Sequence, residues 1–130
     1  TTVADYPLWS LDSAFADYQL TRIEQYAERG EGTSQSDQVT FTYQRGDAPH
    51  DRLTIVNEAP LDEYERNDHA QNRSELTEQL TIQGAPAWLV PHAFDSTVRI
   101  EIEWPDGFTT IYAPDRATAL AAAEALQQVA

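Results

Sequence analysis

Three histidines and one dense run of carboxylates are the side chains of this sequence with the most chemical reach. His50 stands in turn composition, His69 in an acidic segment and His92 directly after Pro91. None stands at the H-x-x-x-H spacing that places two imidazoles on one helix face to hold a metal, so the ordinary reading is a surface histidine in each case. The run Asp62-Glu63-Tyr64-Glu65-Arg66-Asn67-Asp68-His69 gathers the hard oxygen donors that calcium favours. It lacks the central Gly and closing Glu of a calcium loop, and a charge run of this kind reads as a solvated loop. Ser10, Ser13, Ser34, Ser36, Ser74 and Ser96 offer neither a G-x-S-x-G elbow nor an S-x-x-K. Gly30-Glu31-Gly32 lacks the strand and helix context that cradles phosphate. With 22 acidic residues, no pair of carboxylates can be singled out as a glycosidase pair. The expectation is therefore a chain without catalytic, cofactor-binding or metal-ligating residues. A hydrolase whose His and carboxylate groups converge from distant positions stays open as an alternative, because such sites are defined by geometry.

The elements that must position any site fit one domain, since 130 residues is the common size of a domain with its own core. There is no cysteine, which excludes thiol catalysis, disulfide frameworks and Cys-based zinc sites. Eight basic against 22 acidic residues give a net charge of −14, which repels phosphate backbones and anionic lipid; nucleic acid is excluded as a partner. All eight basic residues are Arg, consistent with a G+C-rich coding bias or with the acidic, lysine-poor surface of a high-salt protein kept soluble by like charge. No stretch approaches the roughly 18 apolar residues of a membrane span. The chain opens at Thr1 without the basic and apolar regions of a signal peptide. The expectation is a piece of a longer, membrane-anchored protein, with any membrane association residing in a segment outside these residues.

Along the chain, VTFTYQ alternates Val39, Phe41 and Tyr43 against Thr40 and Thr42, and RLTIVN returns from Arg52 to Asn57 after turn composition; this predicts a hairpin. Glu58 to Ser74 reads as a long acidic loop with one helical turn at most. Leu80 and Ile82 mark a further strand, Gly84 and Pro86 punctuate it, and Trp88-Leu89-Val90 begins the next. Thr97 to Trp104 alternates most clearly, with Val98, Ile100, Ile102 and Trp104 predicted inward and Arg99, Glu101 and Glu103 outward; Pro105-Asp106-Gly107 turns it into the strand Phe108 to Tyr112. Arg116 to Val129 carries the alanine content and apolar stripe of an amphipathic helix, capped by Asp115. Residues 10–29 stay open between helix and strand: Leu11, Phe15, Tyr18, Arg22 and Tyr26 form a helical stripe, yet Tyr18, Leu20 and Arg22 alternate against Thr21 and Ile23. The fold class is α+β, a curved antiparallel sheet of about six or seven strands packed by a carboxyl-terminal helix.

Three patterns, LTIQGAPAWLV at Leu80 to Val90, IEIEWPDGFTTIYAP at Ile100 to Pro114 and RATALAAAEALQQV at Arg116 to Val129, are collinear with a known arrangement. Together they resemble the uncharacterised extracytoplasmic carboxyl-terminal domain of anti-sigma factors and the LolA/RseB-like, lipoprotein-sorting-related proteins. Gly84, Trp104, Gly107, Ala122 and Leu126 sit at that pattern's marked positions, and Val39, Phe41, Tyr43, Leu53 and Ile55 match its earlier hairpin. The family's leucine-proline-x-glycine-phenylalanine entry is replaced here by Leu11-Asp12-Ser13-Ala14-Phe15. The resemblance implies that Phe15 anchors this entry and that Tyr18 to Ala27 is a strand. It implies an extracytoplasmic, non-catalytic sensor or binding module that engages a protein partner or an apolar ligand through its sheet face or the Glu58 to Ser74 segment. It also implies an alternative, a carrier of lipid or lipoprotein, in which Trp88, Trp104, Tyr112, Tyr43 and Phe41 line an apolar trough for acyl chains. Read without the resemblance, the same five aromatics are core.

Overall fold

The computed structural model describes residues 6–12, 15–26, 38–46, 51–71, 73, 77–91 and 97–129. Its main element is a seven-stranded antiparallel sheet. In chain order the strands and helices are β1 (Trp9–Ser10), β2 (Gln19–Tyr26), β3 (Gln38–Gln44), β4 (Arg52–Glu58), α1 (Glu63–Gln71), β5 (Glu78–Ile82), β6 (Ala85–Val90), β7 (Val98–Trp104), β8 (Gly107–Ala113), α2 (Arg116–Ala125) and β9 (Gln127–Gln128). The sheet order is β2-β3-β4-β8-β7-β6-β5, and β1 pairs β9 separately. The expected α+β architecture with a carboxyl-terminal helix on the sheet is the one observed.

Strand register assigns every side chain a face, because directly paired residues in an antiparallel ladder point the same way. Phe41, Ile55, Ile111, Ile100 and Leu89 form one row across five strands. This row faces α2, and Leu53, Ile55, Leu89, Ile100, Ile102 and Ile111 there are fully buried. On the helix side Ala119, Ala122 and Ala123 are buried; side chains this small let α2 lie close against β7 and β8.

The helix is capped at both ends. The Asp115 carboxylate accepts from the Thr118 amide at 2.7 Å, as predicted, while α2 ends at Ala125, earlier than the predicted Val129. The chain leaves it at Leu126 to form β9, whose pairing to Trp9 and Ser10 replaces the last predicted turn. The β5–β6 turn supplies the other cap. Gln83 and Gly84 both have positive φ, 50° and 85°, as a two-residue hairpin loop requires, and the Gln83 side chain donates to Ala123 O at 3.2 Å and Leu126 O at 2.9 Å. Ala123 O also accepts from the Leu126 amide at 3.5 Å, so the Gln83 side chain adds a second donor at the end of the helix, where carbonyls lose their regular intrahelical partners.

Among the described residues of 10–29, the stretch left open becomes strand where β2 pairs β3 from Gln19 to Tyr26, after a short turn at Phe15–Asp17; Ala27, the expected end of that strand, lies outside the described residues. Local propensity for helix yields to the ladder that β3 offers, as strand formation is governed by neighbours. The acidic segment forms α1, a nine-residue helix where one turn at most was expected. Its start explains the length: Asp62 Oδ1 accepts from the Glu65 amide at 2.7 Å while Glu65 Oε1 accepts from the Asp62 amide at 3.0 Å, a reciprocal capping box.

Candidate functional site

The second sheet face, turned away from α2, carries Phe108, Thr110 and Tyr112 from β8, Arg99, Glu101 and Glu103 from β7, and Trp88 from β6, as the register Trp88–Glu101–Thr110 fixes. The alternation of β7 predicts its acids outward into solvent. The structure corrects this at Glu101, which is only 4% exposed, because His69 of α1 and Arg73 beyond it lie over the strand. His69 Nδ1 stands 3.4 Å and Arg73 Nη2 3.5 Å from Glu101 Oε1, and Arg99 Nε stands 3.1 Å from Oε2. One buried carboxylate thus serves three nitrogen bases. The two arginine contacts are ion pairs and the His69 contact becomes one when the imidazole is protonated; Glu101 Oε1, Arg73 Nε and Arg99 Nε are buried with no hydrogen-bond partner among the described residues.

Apolar surfaces frame the cluster. The Arg73 guanidinium lies 3.8 Å over the Trp88 ring, a cation–π contact, and the His69 ring meets Phe108 edge-on at 5.3 Å. Asp68, His69, Arg73, Arg99 and Glu101 line a cleft of about 230 Å³. Farther along α1, Arg66 Nε reaches Glu103 Oε2 at 2.6 Å.

Electrostatics follow from this packing. Burial pushes the Glu101 carboxyl up, but His69, Arg99 and Arg73 outweigh it and hold the group below its ordinary 4.5. The Glu101 carboxylate raises His69 above its ordinary 6.5, against burial and the Arg73 charge. Glu58, on β4 of the same face, is raised above 4.5 chiefly by burial, with the Gln38 amide at 3.2 Å as partial compensation. Within one small region a carboxylate is kept ionised, an imidazole is biased toward its cation and a second carboxyl is biased toward its neutral form.

The five aromatics that the sequence groups together are divided between the two faces. Phe41, Tyr43 and Trp104 are core on the α2 side. Trp104 stacks on Trp9 at 4.1 Å and donates from Nε1 to Thr109 Oγ1 at 2.8 Å, Thr109 in turn donating to Asn57 at 3.0 Å; Tyr43 OH accepts from the Leu11 amide at 3.0 Å. Trp88 and Tyr112 lie half-buried on the second face, two strands apart. A ligand on one face meets only one of these groups. His50 and His92, with Ser13, Ser34, Ser36, Ser74 and Ser96, lie outside the described residues.

Sequence reading passed over Arg73, Arg99 and Glu101 and treated His69 as a surface group. Two weak signals were there: His69 and Arg73 stand four apart, one helical face, and Arg99 and Glu101 stand two apart with opposite charge, one strand face. Comparison of the chain with protein-family models, with curated proteins and with solved structures gives no match.

Proposed function

We propose that the chain is a non-catalytic binding module of an extracytoplasmic, membrane-anchored protein, and that it engages a basic protein partner through α1 and the sheet face beside it. One observation carries the reading: α1 contributes no buried side chain and is fixed to the sheet by ion pairs. A helix that stabilises its own fold so little is free to present its outer side. There Tyr64 is 73% exposed among Glu63, Asn67 and Asp68, an aromatic anchor with acidic surroundings, the composition from which interface hot spots and charge steering are built.

Filling of the α2 side weighs against the carrier alternative, since its central residues are already fully buried. An acyl chain would have to lie on the second face by Trp88 and Tyr112. Native mass spectrometry of the purified chain separates the two: the binding-module reading expects the bare mass, whereas a co-purified acyl adduct lost on Trp88→Ala supports the carrier. Capture from envelope extract then tests the module, with a basic protein retained by the native chain and lost with Tyr64→Ala. Equal retention by both chains contradicts it.

The hydrolase reading has one observation in its favour, the His69–Glu101 pair in a cleft, the arrangement that orients a general base. Against it, the cleft lining contains no hydroxyl or thiol nucleophile among the described residues. Ester or phosphoester turnover abolished by His69→Ala would favour this reading over the module.

A further inference from the structure

The seven-stranded sheet ends in two edges, β2 and β5, and they differ. Edge strands present unpaired backbone groups and invite another strand, and proteins blunt them by shortness, charge or bulges. β5 has five residues, and its Glu78 is engaged by Arg116 at 2.7 and 3.2 Å. β2 has eight residues and leaves Leu20 47% and Ile23 59% exposed. Its pairing to β3 is irregular only between Leu20 and Arg22, so the stretch from Arg22 onward is regular.

We propose that β2 is a self-association edge, pairing antiparallel with β2 of a second copy about a two-fold axis at Ile23. The warrant is charge. Arg22 and Glu24 flank Ile23 on the opposite face of the strand. An antiparallel register centred on Ile23 sets Arg22 against Glu24 of the second copy and Glu24 against its Arg22. Two interchain ion pairs on one face then replace the long, exposed 3.9 Å contact that Arg22 and Glu24 make within one strand, while the two Ile23 side chains meet on the other. A register centred on Arg22 or on Glu24 would instead oppose like charges, which destabilises cross-strand pairs. The same construction on β5, centred on Leu80, sets Gln79 against Thr81 and Glu78 against Ile82 and gains no ion pair.

A two-fold axis perpendicular to the sheet keeps each face on its own side, so the paired copies share one continuous sheet and present both α1 helices in the same direction. An edge seam of this kind is smaller than the roughly 1,200–2,000 Å² of stable interfaces, and each chain carries a net charge of −14. The dimer therefore forms in a concentration-dependent way and only where salt screens the long-range repulsion.

Sedimentation equilibrium over a concentration series at fixed, moderate salt tests this with four chains. The native chain is expected to shift from monomer to dimer. Arg22→Glu replaces both ion pairs with like charges and is expected to weaken association by about tenfold or more, given the cross-strand pair energies involved. The double swap R22E/E24R restores complementarity in the opposite sense and recovers the native constant. Arg52→Glu, an exposed site on β4, changes net charge equally without touching the edge and retains association. Because the chain has no cysteine, Ile23→Cys adds a register check, with mild oxidation expected to give a covalent dimer. A native chain that stays monomeric throughout, equal weakening by R22E and R52E, a swap without recovery, or no cross-link at position 23 would each overturn the proposal. All sites are exposed, and circular dichroism establishes that each variant is folded.

Discussion

The two faces of the sheet are covered by two helices held by different forces. On one side α2 buries Ala119, Ala122 and Ala123 against a row of aliphatic side chains and is capped by Asp115 and Gln83. On the other, α1 has no fully buried side chain, its His69 being half-buried, and is tied down by Arg66–Glu103, His69–Glu101 and the Arg73 that follows it. Apolar burial scales with area and is indifferent to pH and salt in the physiological range; ion pairs are neither. One face is thus built to stay closed. The other responds to its surroundings.

The largest break in this contrast comes from the core. Ile111→Ala, at a fully buried position on the α2 side, is expected to cost about 3 kcal/mol from transfer and cavity terms, read as a lower urea midpoint. Glu101→Gln comes next at about 2 kcal/mol, below the full value for an orphaned buried ion pair because Arg99 and Arg73 reach partial solvent. It also returns the His69 titration, followed by NMR, toward its ordinary value. Asp115→Ala removes one cap and is expected to cost about 1 kcal/mol. Arg66→Ala has the smallest global effect: its guanidinium is exposed, so the midpoint is unchanged while α1 amides exchange faster.

The pH dependence follows from the direction of each shift. His69 has its folded value raised above 6.5, so its contribution is complete below the unfolded value and is lost as pH rises through the folded one. Glu101 is lowered from 4.5, so its contribution is present above the unfolded value and lost as pH falls through the folded one. Glu58 is raised and loses its favourable contribution as pH rises from 4.5. The anchoring of α1 is therefore strongest between the ordinary values of a carboxyl and an imidazole, about 4.5 to 6.5, and loosens on either side. Stability of the α2 face should stay flat across that range.

Legibility in the sequence follows the same division. The α2 face was readable because its signals are local: period-two alternation in β3, β4 and β7, alanine density in α2, and an Asp at its start. The second face was not, since what removes Glu101 from solvent comes from His69 and Arg73, about thirty positions away by the chain lengths that antiparallel packing spans. Alternation predicts which side of a strand a residue takes; it does not predict what covers that side. β2 shows a second limit. The stripe of Leu11, Phe15, Tyr18, Arg22 and Tyr26 that runs into it reads as helical, and only the presence of β3 as a partner decides for strand over Gln19–Tyr26. α1 was missed because its apolar content is too low for a stripe, whereas the Asp62-x-x-Glu65 capping box was the signal available.

Hydrogen exchange resolved by segment, compared between α1 and α2 from pH 5 to pH 8 after correction for intrinsic rates, tests the central claim most directly. The account predicts that α1 amides are less protected than those of α2 throughout, and that their protection falls further as pH rises past the His69 titration and as salt is added, while α2 holds constant. Equal protection of the two helices, unmoved by pH and salt, would contradict it.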